Sequence, residues 1–309
     1  MKKLSILVPC YNEQDALPIF YKEISRVLSS LDYEYEIIFV DDGSKDDTLN
    51  IIKDISSQNQ NVFYLSFSRN FGKEAAMYAG FRNSTGDYVA VMDADMQDPP
   101  SLLPKMIEII ENDNYDSVAT RRITRKGEPP IRSWFARKFY AIINKISDAD
   151  IVDGARDFRL MKRSMVDVII SMTEYDRFSK GIFGWIGFKT YWLPFENVER
   201  VAGQTKWSFW KLFKYAINGI VDFSLAPVHI SSWIGFLLIL LSLITLIINN
   251  CLYAFFDEKY MFLVFLICII GGMQFVFNGI MGQYIAKTYR EVKNRPSYIV
   301  MESNKEIIK

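Results

Sequence analysis

Asp93 and Asp95, separated by Ala94 at the end of the apolar run Tyr88-Val89-Ala90-Val91-Met92, have the types and spacing to do chemistry. The run reads as a buried strand, and residues two apart on a strand face the same way. Two carboxylates on one face make a hard oxygen site of the kind that holds Mg²⁺ or Mn²⁺ against a diphosphate. Gln97-Asp98-Pro99-Pro100 follows at once, and the two prolines end the strand and begin a turn. The alternative is a plain turn, a common use of aspartates at strand ends. Two more polar clusters follow apolar runs: Pro9-Cys10-Tyr11-Asn12-Glu13 and Asp41-Asp42-Gly43-Ser44.

The elements that must position these clusters alternate along the first 95 residues. Strands are expected at 4–8, 35–40, 62–67 and 88–92, and helices at 14–30, 46–57 and 73–83. In the first helix Leu17, Phe20, Tyr21, Ile24, Val27 and Leu28 recur at helical spacing, and Asp46 or Asp47 is a cap candidate for the second. Nearly continuous apolar strands between helices imply a mostly parallel sheet covered on both faces. Such sheets bind ligands beyond the carboxyl ends of their strands, so all three clusters should share one rim. Gly-x-Gly-x-x-Gly and Walker A patterns are absent, which argues against a dinucleotide oxidoreductase or a P-loop enzyme.

Charge and hydropathy bound the partners. The chain has 36 basic and 36 acidic side chains, a balance that does not favour nucleic acid. Residues 223–256 carry no charge apart from His229, to which no role is assigned, and 260–286 carry none at all. Both runs are long enough for a membrane-spanning helix, placed at 230–248 and 261–284. A buried helical hairpin in a soluble core is the alternative. Lys206, Lys211 and Lys214 precede the first run and Lys287, Arg290, Lys293 and Arg295 follow the second, whereas the connection offers Asp257, Glu258 and Lys259. The positive-inside rule then puts both long ends in the cytoplasm. Met1-Lys2-Lys3-Leu4-Ser5 leads straight into a strand with no apolar signal region, in keeping with that orientation. Basic and aromatic residues mix at 128–146 and again at 206–226, where Trp134, Trp207 and Trp210 suit interfacial anchors. Cys10, Cys251 and Cys268 show neither metal spacing nor a disulfide framework.

Val8-Pro9-Cys10-Tyr11-Asn12-Glu13, Asp41-Asp42-Gly43-Ser44 and Asp93-Ala94-Asp95-Met96-Gln97-Asp98-Pro99-Pro100 together resemble the family 2 glycosyltransferases of GT-A fold. Ser68-Arg69-Asn70-Phe71-Gly72-Lys73, Asp157-Phe158-Arg159-Leu160-Met161 and the paired apolar runs resemble, within that family, the polyprenyl-phosphate sugar transferases. The bactoprenol glucosyltransferase group is the nearest of these, and its catalytic domain resembles dolichol-phosphate mannose synthase. The likeness implies an α/β GT-A catalytic domain (Rossmann-like, mostly parallel sheet) over 1–205. It also implies a juxtamembrane amphipathic helix at 206–226, a two-helix transmembrane hairpin at 227–288 and a cytoplasmic tail at 289–309.

The resemblance also implies roles. Pro9, Tyr11, Glu13, Asp41 and Asp42 would line the nucleotide pocket. Asp93, Asp95 and Gln97 would hold Mg²⁺ or Mn²⁺, and Arg200 and Lys206 would close on the donor diphosphate. Arg121 and Arg132 would hold the acceptor phosphate. Asp157 would contact a sugar hydroxyl or act as a weak base; the plainer alternative is an ion pair with Arg156 or Arg159. Arg69 and Lys73 would add attraction for phosphate at the rim, or simply be solvated. The implied reaction moves one hexose, glucose from UDP-glucose as first choice, to undecaprenyl phosphate with inversion at the cytoplasmic face of a bacterial inner membrane. N-acetylglucosamine, galactose, mannose or a modified arabinose are alternative sugars, and a catalytically silent scaffold for a glycan flippase or polymerase is the alternative of another class. Gln-x-x-Arg-Trp, typical of processive members, is absent, which favours single transfer. The segment Ser297-Tyr298-Ile299-Val300-Met301 is expected to add an edge strand to a neighbouring subunit in a homo-oligomer.

Overall fold

The computed structural model describes residues 1–123, 152, 154–196 and 259–306, together with 227, 228, 231, 233–238, 240 and 244. Within these residues the chain runs β1 (Lys3–Cys10), α1 (Leu17–Leu28), β2 (Glu34–Asp41), α2 (Thr48–Gln58), β3 (Val62–Phe67), α3 (Lys73–Asn83) and β4 (Tyr88–Val91). A 3₁₀ turn at Pro100–Leu102 leads into α4 (Leu103–Asn112), β5 (Ser117–Arg122), β6 (Ala155–Lys162), α5 (Arg163–Ser171), α6 (Ser179–Trp185) and β7 (Thr190–Phe195). A helix, α7 (Lys259–Val292), and a short strand, β8 (Val300–Ser303), complete it.

One eight-stranded sheet has the order β7-β5-β6-β4-β1-β2-β3-β8. The first four strands are parallel to one another, as their unbroken apolar runs require. Leu4, Ile6 and Val8 face one core with Phe20 and Ile24 of α1; Leu7 faces the other with Val40, Ala76 and Ala79. The chain runs outward from β1 to β2 and β3, then returns to place β4 on the other side of β1. That reversal opens a crevice between the carboxyl ends of β1 and β4, where sheets of this kind bind ligands.

The sequence did not signal β6, which lies antiparallel between β4 and β5. Its register sets Val91 opposite Arg159, so the residues just before Arg159 continue past the end of β4 onto the rim. Direction reversal is what brings Asp157 and Arg156 to the acidic clusters. The strand end at Asp93 also differs from expectation. Pairing stops at Val91, and Asp93 to Asp98 form a turn in which Met96 takes a positive φ of 61°. The turn, and not strand alternation, orients Asp93 and Asp95.

The tail does form an edge strand, but on its own chain: β8 pairs antiparallel with β3. This corrects the expected exchange with a neighbouring subunit. The reason is local complementarity. Tyr298 stacks on Phe67 with centroids 5.1 Å apart, Asn304 accepts from the Tyr64 amide at 2.7 Å, and Lys305 Nζ lies 2.7 Å from the buried Glu36 carboxylate. The end of α7 is tied to the same body by Arg290 to Asp176 at 2.8 Å and by the Tyr175 amide donating to Glu291 at 2.8 Å.

Among the described residues no helix is long and apolar enough to cross a membrane. The first expected span, 230–248, falls mostly outside those residues. The second coincides with α7, whose side chains are described from Ile269 onward and at a few earlier positions. On this helix Ile267, Phe275, Val276 and Ile285 are exposed. The amphipathic segments expected at 128–146 and 206–226 lie outside the described residues, as does His229.

Candidate active site

The rim loops are zipped together by short polar side chains. After β1 the backbone turns at Asn12, with φ 53°, and the Asn12 amide donates to Ser44 Oγ at 2.9 Å. Asn12 Oδ1 accepts from the Lys45 amide at 2.8 Å, and the Glu13 amide donates to Thr48 Oγ1 at 2.8 Å. Tyr11 and Glu13 are thereby held half-buried beside the ends of β1 and β2, with Pro9 half-buried in β1 itself.

Asp41 and Asp42 are buried, and their carboxylates build the loops around them. Asp41 accepts from the Ser44 amide at 3.1 Å and from Ser66 Oγ at 2.9 Å. Asp42 accepts from the amides of Phe71 at 2.6 Å and Gly72 at 2.9 Å. Burial pushes the Asp42 carboxyl up to about 6, although those two amides favour its charged form. The consequence is positional. Gly72, at φ 103°, precedes the first residue of α3, so Asp42 fixes where Lys73 begins the helix.

Lys73 is the hub of the site. Its ammonium lies 2.7 Å from Asp93 and 2.5 Å from Asp157, and its side chain is 38% exposed. Burial would raise the Asp157 carboxyl, but Lys73, with Lys180 and Arg156 nearby, holds it well below the usual carboxylate range. The same two acids hold the Lys73 ammonium well above its ordinary value against the opposing effect of burial. Behind it, Glu74 accepts from the amide of Ser179 at 3.0 Å and from its hydroxyl, and burial pushes this carboxyl up to about 7. Lys73 was expected to attract phosphate or be solvated; the structure makes it the bridge between two strand-end acids. The ion pair of Asp157 is with Lys73 and not with Arg156 or Arg159.

Asp95 Oδ1 accepts from the Gln97 amide at 3.1 Å, which closes the turn after β4. Asp98 is buried and accepts from Arg156 Nε at 3.0 Å, and Arg156 Nη2 reaches Gln97 Oε1 at 3.4 Å. Burial raises the Asp98 carboxyl to about 6 even with Arg156 beside it. Asp98 and Arg156 escaped sequence reasoning as site-builders because they meet only through the antiparallel placement of β6. Arg121, near the end of β5 and in register with Ala155, is exposed on the same rim. Arg132, Arg200 and Lys206 lie outside the described residues, whereas Arg69 is exposed with its guanidinium 4.0 Å from the Phe71 ring centroid.

Among the described residues no group of three or more histidine, cysteine or acidic side chains is gathered to hold a metal ion. A full protein cage is not what this chemistry requires, since Mg²⁺ is commonly bound by one or two carboxylates plus substrate phosphates. Asp93, Asp95 and Gln97, on one turn, fit that donor set. Asp93 and Asp157 already share a cation in the form of Lys73.

The mixed sheet thus has its switch point between β1 and β4, with acids gathered after β1, β2 and β4 on the rim where such sheets bind ligands. The chain belongs to glycosyl transferase family 2, whose model matches residues 5–170. Within it the chain falls in the bactoprenol glucosyltransferase group. It is 39% identical over 306 residues to the prophage bactoprenol glucosyl transferase homolog of Escherichia coli strain K12, covering 98% of this chain and 100% of that one. It is 38% identical over 301 residues to the bactoprenol glucosyl transferase of Shigella phage SfX, covering 96% and 98%. Among solved structures it is similar to glucosyl-3-phosphoglycerate synthase from Mycobacterium tuberculosis in complex with Mn²⁺, UDP-glucose and phosphoglyceric acid. That likeness has 17% identity, a TM-score of 0.48, and covers 71% of this chain and 78% of that one.

Proposed function

We propose that this chain moves one hexose, glucose from UDP-glucose in the first instance, onto a polyprenyl phosphate such as undecaprenyl phosphate. The observation that carries the reading is the rim where Asp93, Asp157 and Lys73 meet beside the turn bearing Asp95 and Gln97. The names and near full-length similarity of the relatives support a lipid-phosphate acceptor and glucose as the sugar.

In this reading Asp93, Asp95 and Gln97 hold Mg²⁺ or Mn²⁺, which would neutralise charge on the departing nucleotide diphosphate. Pro9, Tyr11, Glu13 and the loop that Asp41 braces border the nucleotide. Arg200 and Lys206 supply further positive charge to the diphosphate. Arg121 and Arg132 orient the acceptor phosphate, a task suited to planar guanidinium forks. That nucleophile is already anionic at neutral pH, since its second pKa is about 6, so no strong base is required. Asp157 fits this economy: a carboxylate held ionised by Lys73 is a poor proton acceptor and acts by contacting a sugar hydroxyl. Attack opposite the leaving group inverts the anomeric centre.

The same reading places the catalytic body at the cytoplasmic face of a bacterial membrane, anchored by 230–248 and 261–284. Large apolar side chains exposed on α7, among them Phe275 at 80% and Ile285 at 64%, support it, because such a surface is costly in water. The decisive assay is radiolabelled transfer to undecaprenyl phosphate from UDP-glucose, UDP-N-acetylglucosamine, UDP-galactose and GDP-mannose, with Mn²⁺, Mg²⁺ or chelator. UDP-glucose should be the best donor and chelator should abolish transfer. No product from any donor would overturn the proposal, and a better donor would revise the sugar.

A further inference from the structure

On the α6 side of the sheet, adjoining the rim at Arg156, lies a cavity of about 210 Å³ lined by Arg156, Arg159, Lys180, Phe183, Thr190 and Trp192, among others. Arg159 is 3% exposed, and its Nε has no hydrogen-bond partner. Its Nη1 makes two long contacts, to Ser117 Oγ at 3.4 Å and Thr190 Oγ1 at 3.3 Å. Phe183 lies 4.4 Å and Trp192 5.3 Å from the guanidinium, ring centroid to Cζ, so the rings hold its plane and leave its edge for a ligand. Among the described residues neither Arg159 nor Lys180 has an acidic ion-pair partner. Lys180 Nζ donates to the Ala155 carbonyl at 3.2 Å. The acid nearest in sequence on this strand face, Asp157, is committed to Lys73.

A buried guanidinium without a directly paired acid is costly to the fold. Burial lowers the Arg159 pKa to about 9, and the charge of Asp157 offsets this only in part. Replacing it with a long apolar side chain would satisfy Phe183 and Trp192 at no such cost. A charge kept there at the expense of stability points to a ligand that supplies the missing anion. An arginine fork, a lysine and a threonine hydroxyl offer donors only to an acceptor-rich group, which is the chemistry of phosphate.

We propose that this cavity is a phosphate-binding pocket, with Arg159 and Lys180 as its anchors, taking a phosphate monoester either as the head of the lipid acceptor, held there before Arg121 and Arg132 orient it for transfer, or as free phosphate. The lipid source rests on the function proposed above; the pocket itself does not. Since Asp157 and Arg159 stand two apart on β6, a phosphate held by Arg159 waits next to the group that faces the sugar.

The test uses the full chain in detergent micelles, titrated with inorganic phosphate and separately with farnesyl phosphate, followed by ³¹P NMR and thermal melting. Wild type should bind phosphate and melt higher in its presence. Arg159→Met and Lys180→Met should each weaken phosphate at least tenfold, with Arg159→Lys recovering part of the loss. Without phosphate, Arg159→Met should melt no lower than wild type, an outcome that a merely structural arginine would not give. If the variants weaken both probes, the pocket takes the lipid head; if they weaken inorganic phosphate alone, it takes free phosphate. Unchanged binding of both probes by Arg159→Met and Lys180→Met overturns the proposal, as does a wild type that binds neither. If Arg159→Met fails to fold, Lys180→Met decides alone. Sugar transfer by wild type, measured in parallel, separates failure of this pocket from failure of the enzymatic reading.

Discussion

Lys73→Met isolates the electrostatics of the rim. One ammonium sits 2.7 Å from Asp93 and 2.5 Å from Asp157, so the two carboxylates lie within about 5 Å of each other. At that separation two like charges repel by about 3 kcal/mol for an effective dielectric near 20. The Lys73 side chain is 38% exposed, and solvent screening reduces the figure to about 1.5 kcal/mol. With the ammonium gone, a divalent cation becomes the group that relieves this repulsion, and it no longer competes with Lys73 for Asp93. The variant should therefore bind Mn²⁺ about tenfold more tightly in the absence of nucleotide, by the relation of about 1.4 kcal/mol per decade. Titration of free Mn²⁺ by electron paramagnetic resonance measures this directly. Sugar transfer should fall at the same time, since Asp157 loses the partner that orients it. Mn²⁺ affinity equal to or weaker than that of wild type would refute the view that Lys73 fills the cation position between the two acids.

Three further outcomes are expected. Asp95→Ala should lower sugar transfer at least a hundredfold while shifting the melting temperature by only a few degrees, because its carboxylate lies half-buried in the rim turn and borders the proposed metal position; full activity with UDP-glucose and Mn²⁺ would remove Asp95 from the site. Glu36 is buried, and although burial alone would raise its carboxyl, Lys305, Ser5 and the Thr85 amide bring it down from 4.5 to about 2. A lowered folded-state pKa gives stability that is present above about pH 4.5 and lost as pH falls toward 2, on the order of 3 kcal/mol in all with more than half gone by pH 3; Lys305→Met should remove much of it, and acid melting curves that are parallel for variant and wild type from pH 7 to 3 would contradict this. Gly43→Ala should destabilise by about 1–3 kcal/mol, because Gly43 has φ +66° and a Cβ there would lie 2.5 Å from the Arg69 carbonyl carbon; an unchanged denaturant midpoint would show that the loop relaxes freely.

The sequence by itself determined the parallel half of the sheet. Uninterrupted apolar runs such as Ile6-Leu7-Val8 and Ile37-Ile38-Phe39-Val40 can be buried on both faces only between helices, and α1 shows its inward residues at helical spacing. The rim was legible for the same reason: when strands alternate with helices, every strand ends at the same edge, and polar residues there announce a site. The antiparallel strands were not legible. Ala155–Lys162 mixes Arg156, Asp157 and Arg159 with apolar neighbours, and no local pattern records which strand it will pair with. Yet that pairing decides that Asp157 meets Lys73, that Arg156 covers Asp98, and that Arg159 is buried beneath Phe183 and Trp192. Likewise the tail could be read as a strand at 297–301, although pairing begins only at Val300, and which edge it joins was settled by Tyr298 on Phe67 and Lys305 on Glu36, contacts more than two hundred residues apart in the chain. Local pattern fixes what a segment is; burial and charge pairing between distant segments fix what it touches.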